Sequence, residues 1–87
     1  MRATVTVTLK REVLDPQGEA VRKGLAGLGL VGVGEVRVGK IIEIELPPGM
    51  DREAARAAIT RAADQLLANP VVEDWRVAIE PEEVTAR

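Results

Sequence analysis

From Ala3 to Leu9 the chain alternates strictly, with Ala3, Val5, Val7 and Leu9 apolar and Thr4, Thr6 and Thr8 between them. A period of two in β-branched residues predicts a strand with one buried face. Asp15-Pro16 then supplies a capping side chain and a first helical residue with its φ already set, and Val21, Leu25 and Leu28 recur at i, i+4 and i+7 before Gly29. This predicts a helix over roughly 16–28. Gly18, Gly24 and Gly27 fall inside it. Each costs about 1 kcal/mol against Ala in an exposed helix interior, so a compensating close approach of backbone is expected.

Between Val33 and Leu46 the period of two returns and holds its phase. Val36, Val38, Ile42, Ile44 and Leu46 all occupy even positions, and Lys40 alone breaks the apolar row. A two-residue hairpin at Gly39-Lys40 would set Val36 opposite Glu43 and carry a carboxylate to the buried face. The pattern therefore favours one long strand over 33–46, bent or bulged at Gly39. Such a strand spans roughly 45 Å, about twice the reach of the first one, so part of it overhangs and offers an unpaired edge to a second chain.

Pro47-Pro48-Gly49 ends that strand, and Asp51 caps a second helix whose stripe is Ala55, Ile59, Ala62, Ala63 and Leu66, running up to Asn69-Pro70. A last strand from Val71 to about Glu80 places Trp75, Val77 and Ile79 on one face. The order βαβαβ predicts an α+β two-layer sandwich related to ferredoxin-like folds, with both helices on one face and the long middle strand pairing between subunits. Residues 1–80 form the one expected domain, and 81–87 read as a loose C-terminal tail.

Composition narrows the chemistry. The 87 residues include no Cys, His, Ser, Phe or Tyr. This removes Ser-His and Cys-His nucleophile pairs, disulfides, and thiolate or imidazole zinc sites. Twelve basic residues interleave with 14 acidic ones for a net charge of −2, and Trp75 is the lone aromatic. With no basic stripe and no stacking platform, nucleic acid is not an expected partner. No apolar run has signal-peptide or membrane-span length, so a cytoplasmic protein is expected.

Gly27-Leu28-Gly29-Leu30-Val31-Gly32 matches a dinucleotide fingerprint, with Asp51 downstream, but here a helix ends and a strand begins, the reverse of what a pyrophosphate needs. A helix C-cap and turn explain it better. Gly34 to Ile41 resembles a phosphate loop, yet Ile41 stands where a metal-binding hydroxyl belongs. Glu43 and Glu45 share a strand face roughly 7 Å apart, close enough for acid–base work or a hard cation, but nothing nearby converges on them. A polar sheet face is the simpler reading. Glu19 with Lys23 and Arg61 with Asp64 read as helix-surface pairs. Trp75 is a core anchor or an interface hot spot.

Three segments together carry a resemblance: Thr8-Leu9-Lys10 through Val13-Leu14-Asp15-Pro16-Gln17-Gly18, then Val36-Arg37-Val38-Gly39-Lys40, then Leu66-Leu67-Ala68-Asn69-Pro70-Val71-Val72-Glu73-Asp74-Trp75. In order and length they resemble the PurS subunit family of phosphoribosylformylglycinamidine synthase over nearly the whole chain. The resemblance implies a noncatalytic small subunit of a purine-biosynthetic amidotransferase complex. There it bridges a glutaminase subunit, PurQ, and a synthetase subunit, PurL, assists ammonia transfer between them, and self-associates as a dimer or tetramer. ATP and magnesium belong to the synthetase subunit, and no cofactor or metal is expected on this chain. Since the family has no catalytic residue here to carry over, the candidate site is a partner interface: Asp15, Pro16, Gln17 and Gly18 first, then Gly39 and Lys40, with Trp75. Two other classes stand beside it: a small-ligand-sensing ferredoxin-like module, and a self-standing enzyme using Glu43 and Glu45.

Overall fold

The structure is a computed structural model that describes residues 1–80; the expected tail over 81–87 lies outside the described residues. Strands β1 (Arg2–Leu9), β2 (Gly39–Glu45) and β3 (Glu73–Glu80) form one antiparallel sheet in the order β2-β1-β3. The strand with the strictest alternation takes the centre. Its register sets Val5 between Ile42 and Val77, Ala3 between Ile44 and Ile79, and Val7 between Lys40 and Trp75. The apolar phases of all three strands therefore share one face.

Helix α2 (Arg52–Ala62) lies on that face, capped by the Asp51 carboxylate accepting from the Ala54 N–H at 3.0 Å. It buries Ala55 and Ile59 against Ala3, Val5, Val7 and Ile79. Alanines at the contact bring helix and sheet close, and Val5 and Val7 are the largest fully buried side chains. The opposite face carries Thr4, Thr6 and Thr8 flanked by Ile41, Glu43, Glu45 and Arg76, and is open.

The second helix departs from its expected stripe at the C-terminal end. After Ala62 it widens into a π-helical turn, Ala63–Leu67, closed by the Ala68 N–H donating to the Ala63 carbonyl five residues back. Widening by one residue rotates the residues beyond it by about 100°. Leu66, expected inward, is 78% exposed, and Leu67 packs against the core instead.

Helix α1 (Pro16–Gly27) ends as its glycines predict. Gly29, at φ +97°, donates to the Ala26 carbonyl at 3.0 Å, and the Leu30 N–H donates to that of Leu25 at 2.9 Å. This is a Schellman cap, which accounts for the fingerprint-like Gly27–Gly32 run. Unlike the expected two-helix layer, α1 stands off the sheet. Gly18 is its one buried residue, and Val21, Leu28 and the following Leu30 and Val31 are exposed.

The middle strand is shorter than its sequence pattern. The ladder with β1 starts at Gly39, opposite Thr8, and residues 33–38 have no strand partner within the chain. The cause is β1 itself, which ends at Leu9, after which Lys10 turns toward Val72, its N–H donating there at 2.9 Å. Gly39 and Lys40 pair with Thr8 and Val7 in continuous register, so the segment holds neither a hairpin nor a bulge. The last strand likewise starts at Glu73, because Val71 and Val72 belong to the turn after Asn69-Pro70. Among the described residues no helix is long and apolar enough to cross a membrane.

Candidate partner interface

Asp15 organises the site. One carboxylate oxygen accepts from the Gly18 N–H at 2.8 Å as the α1 cap, and the other accepts from the Val38 N–H at 2.8 Å. One side chain thus ties the first turn of α1 to the residues leading into β2. It is only 4% exposed. The amide donors of Gly18 and Val38, then the nearby Arg37 guanidinium, hold its carboxyl below the ordinary aspartate value against the opposing effect of desolvation. Pro16 is the first residue of α1, where its missing N–H costs nothing.

One glycine makes this crossing possible, and a second lets β2 start against β1 beside it. A Cβ on Gly18 would lie 1.9 Å from the Val36 carbonyl oxygen, and one on Gly39 would lie 2.4 Å from that of Val7. Gly18 thus has the close backbone approach expected as compensation for a helical glycine; Gly24 and Gly27, with open space around them, do not.

Charges staple the same end. The Arg37 guanidinium donates to the Leu9 carbonyl at 3.2 Å and to that of Lys10, and stands 3.4 Å from Glu35, which also takes Arg11 at 3.0 Å. Lys10 pairs with Asp74 at 3.1 Å. The roles of Arg37 and Glu35 are not legible in the sequence: both lie within motifs, but nothing there names their partners, and their one signal is odd parity beside the apolar even row. Of the expected helix-surface pairs, Glu19 takes Arg22, three residues on, rather than Lys23, and Arg61 makes no ion pair with Asp64.

Beside the clip is a shallow pocket of about 240 Å³, with Leu9 and Val38 as its partly exposed apolar residues over the buried Val7, and Thr8, Gln17, Lys40 and Glu73 around it. The structure therefore brings Asp15, Pro16, Gln17, Gly18, Gly39 and Lys40 to one end of the sheet. Trp75 lies in the same cross-strand row as Lys40, two strands away beyond Val7, half-buried against the core. Glu43 and Glu45 are exposed on the opposite face, facing Thr4 and Arg2 across the ladder.

Fold and site together define a small two-layer α+β chain: one helix seated on a three-stranded antiparallel sheet, and a second, with apolar side chains uncovered, clipped to its end. A profile of the family PurS, phosphoribosylformylglycinamidine (FGAM) synthase, matches residues 2–81, and the chain belongs to that family. The PurS subunit of phosphoribosylformylglycinamidine synthase from Mycobacterium leprae is 42% identical over 79 residues, 91% of this chain and 95% of that protein. Thermus thermophilus PurS superposes with a TM-score of 0.71 at 43% identity, covering 92% of this chain and 96% of that one. A chain of the PurLQS structure from Thermotoga maritima superposes at 0.78 and 31% identity, covering 88% and 93%. The ligand-sensing alternative is not favoured.

Proposed function

We propose that this chain is the small subunit that bridges the glutaminase (PurQ) and synthetase (PurL) subunits of phosphoribosylformylglycinamidine synthase in the cytoplasm and assists ammonia transfer between them. The complex converts formylglycinamide ribonucleotide to the amidine at the expense of ATP and glutamine. In this reading ATP and magnesium are handled by the synthetase subunit and this chain binds neither. Residues 1–80 act as one unit.

The observation that carries the reading is the match to PurS over 2–81, joined to similarity with a chain of a PurLQS assembly. The uncovered parts of the fold agree with it. Residues 33–38 and the exposed apolar side chains of α1 are surfaces that a second copy would complete as a dimer or tetramer. Within the interface, Asp15, Pro16 and Gly18 position the loop, while Gln17, Gly39 and Lys40 present it and Trp75 borders it.

Light scattering on size-exclusion fractions tests assembly. Mixed with the glutaminase and synthetase subunits under turnover conditions, the chain is expected to elute in one particle containing all three. Elution of the two larger subunits as a complex without this chain would refute the bridging role.

A further inference from the structure

Lys40 is the residue that the fold leaves unexplained. It breaks the apolar row of β2, and the register puts it on the helix-bearing face, level with Val7, beyond the reach of α2's buried contacts. Its ammonium makes no hydrogen bond or ion pair with any described residue. The neighbouring cations Lys10, Arg11 and Arg37 are all engaged by Asp74, Glu35 or backbone carbonyls. An exposed lysine on a solvent face needs no account, but this one borders a pocket whose partly exposed apolar residues are Leu9 and Val38, with Thr8, Gln17 and Glu73 also lining it.

We propose that Lys40 and Gln17 form a subsite that accepts a side-chain carboxylate, an Asp or Glu, from a partner subunit of the complex. This rests on the bridging reading and specifies the chemistry of its contact. The choice of ligand follows from charge and shape. A single ammonium balances one negative charge, and the apolar surface suits the methylene stem of a side chain. Glu73 stands at the same pocket, one of its oxygens already accepting from the Asn69 N–H at 2.7 Å. Its charge weighs against a dianionic phosphate served by one cation. The Asp15 clip fixes Val38 and the start of α1, so both donors come from backbone that is held in place before the partner arrives.

The test is affinity of the full chain for the glutaminase and synthetase subunits, measured across a salt series. Lys40→Met is expected to weaken association about tenfold or more and to flatten its salt dependence, whereas Lys40→Arg stays within about threefold. Gln17→Ala is expected to lose about threefold. Arg56→Met removes an exposed cation of α2 and serves as the control, with affinity unchanged. All variants are expected to melt with the wild type, since neither tested side chain is buried. If the wild type fails to associate, the bridging reading falls. If it associates and Lys40→Met binds equally, the subsite falls alone. Loss confined to self-association would make the occupant a second copy, and displacement by inorganic phosphate at matched ionic strength would make it a free anion; either overturns the proposal.

Discussion

Gly18→Ala is expected to destabilise the protein although alanine is the better helix former. At an open helical position the exchange gains about 0.5–1 kcal/mol, through helix propensity and a less flexible unfolded chain. Gly24 is such a position, with nothing within 4 Å of the place a methyl carbon would take, so Gly24→Ala is expected to raise the melting temperature by a few degrees. At Gly18 the same methyl carbon would lie 1.9 Å from the Val36 oxygen and 2.8 Å from its carbon, both backbone atoms. An ordinary carbon–oxygen contact is about 3.3 Å, so the segment entering β2 must withdraw by more than about 1 Å. That withdrawal pulls the Val38 N–H from Asp15. Overpacking costs about 1–3 kcal/mol and the helix gain returns part of it, leaving a loss on the order of 5 °C or more for a domain of this size. Both variants are to be melted by circular dichroism at equal protein concentration, because self-association shifts the midpoint. If Gly18→Ala stabilises as Gly24→Ala does, the crossing of residues 36–38 over α1 is wrong.

Asp15 makes acid stability testable. Because folding lowers its pKa, its contribution is complete above the ordinary value of 3.8 and is lost as pH falls through the lower folded value. Asp15→Asn is therefore expected to be less stable at neutral pH and to show a shallower acid limb, read as denaturant midpoint against pH; parallel limbs would contradict the clip. Val5→Ala removes two buried methyl groups beneath α2 and is expected to cost about 2–3 kcal/mol by chemical denaturation. Leu28→Glu, at a side chain 84% exposed in the single chain, is expected to leave the fold intact while lowering the self-associated fraction by sedimentation; an unchanged mass distribution would count against α1 as a contact surface.

Most of the sheet was legible because a period of two fixes which face is buried, and the face assignments of Val5, Ile42, Ile44, Val77 and Ile79 follow from parity alone. The Asp15 and Asp51 caps were legible for a similarly local reason. What pattern could not supply is where a partner strand stops. Even parity keeps its phase from Val36 to Leu46, with Lys40 alone polar, but pairing needs a neighbour, and β1 provides one only as far as Thr8. Nor does an apolar stripe say what covers it: Val21, Leu25 and Leu28 have helical spacing yet meet no sheet of their own chain. The π-helical turn is not legible because Leu66 and Leu67 are interchangeable in composition, and one extra residue in the turn selects between them. In the candidate interface, the Asp-Pro-Gln-Gly and Gly-Lys motifs were visible separately. Their meeting depends on a crossing of 23 residues' separation, Asp15 to Val38, that no local signal encodes.

Ammonia coupling is the central claim, and reconstituted turnover tests it most directly. The synthetase and glutaminase subunits are supplied with ATP, magnesium and formylglycinamide ribonucleotide, with and without this chain, and amidine formation is followed with either glutamine or ammonia as nitrogen source. Glutamine-dependent turnover is expected to require this chain, while ammonia-dependent turnover largely does not. Equal glutamine-dependent rates with and without it would contradict a role in ammonia coupling.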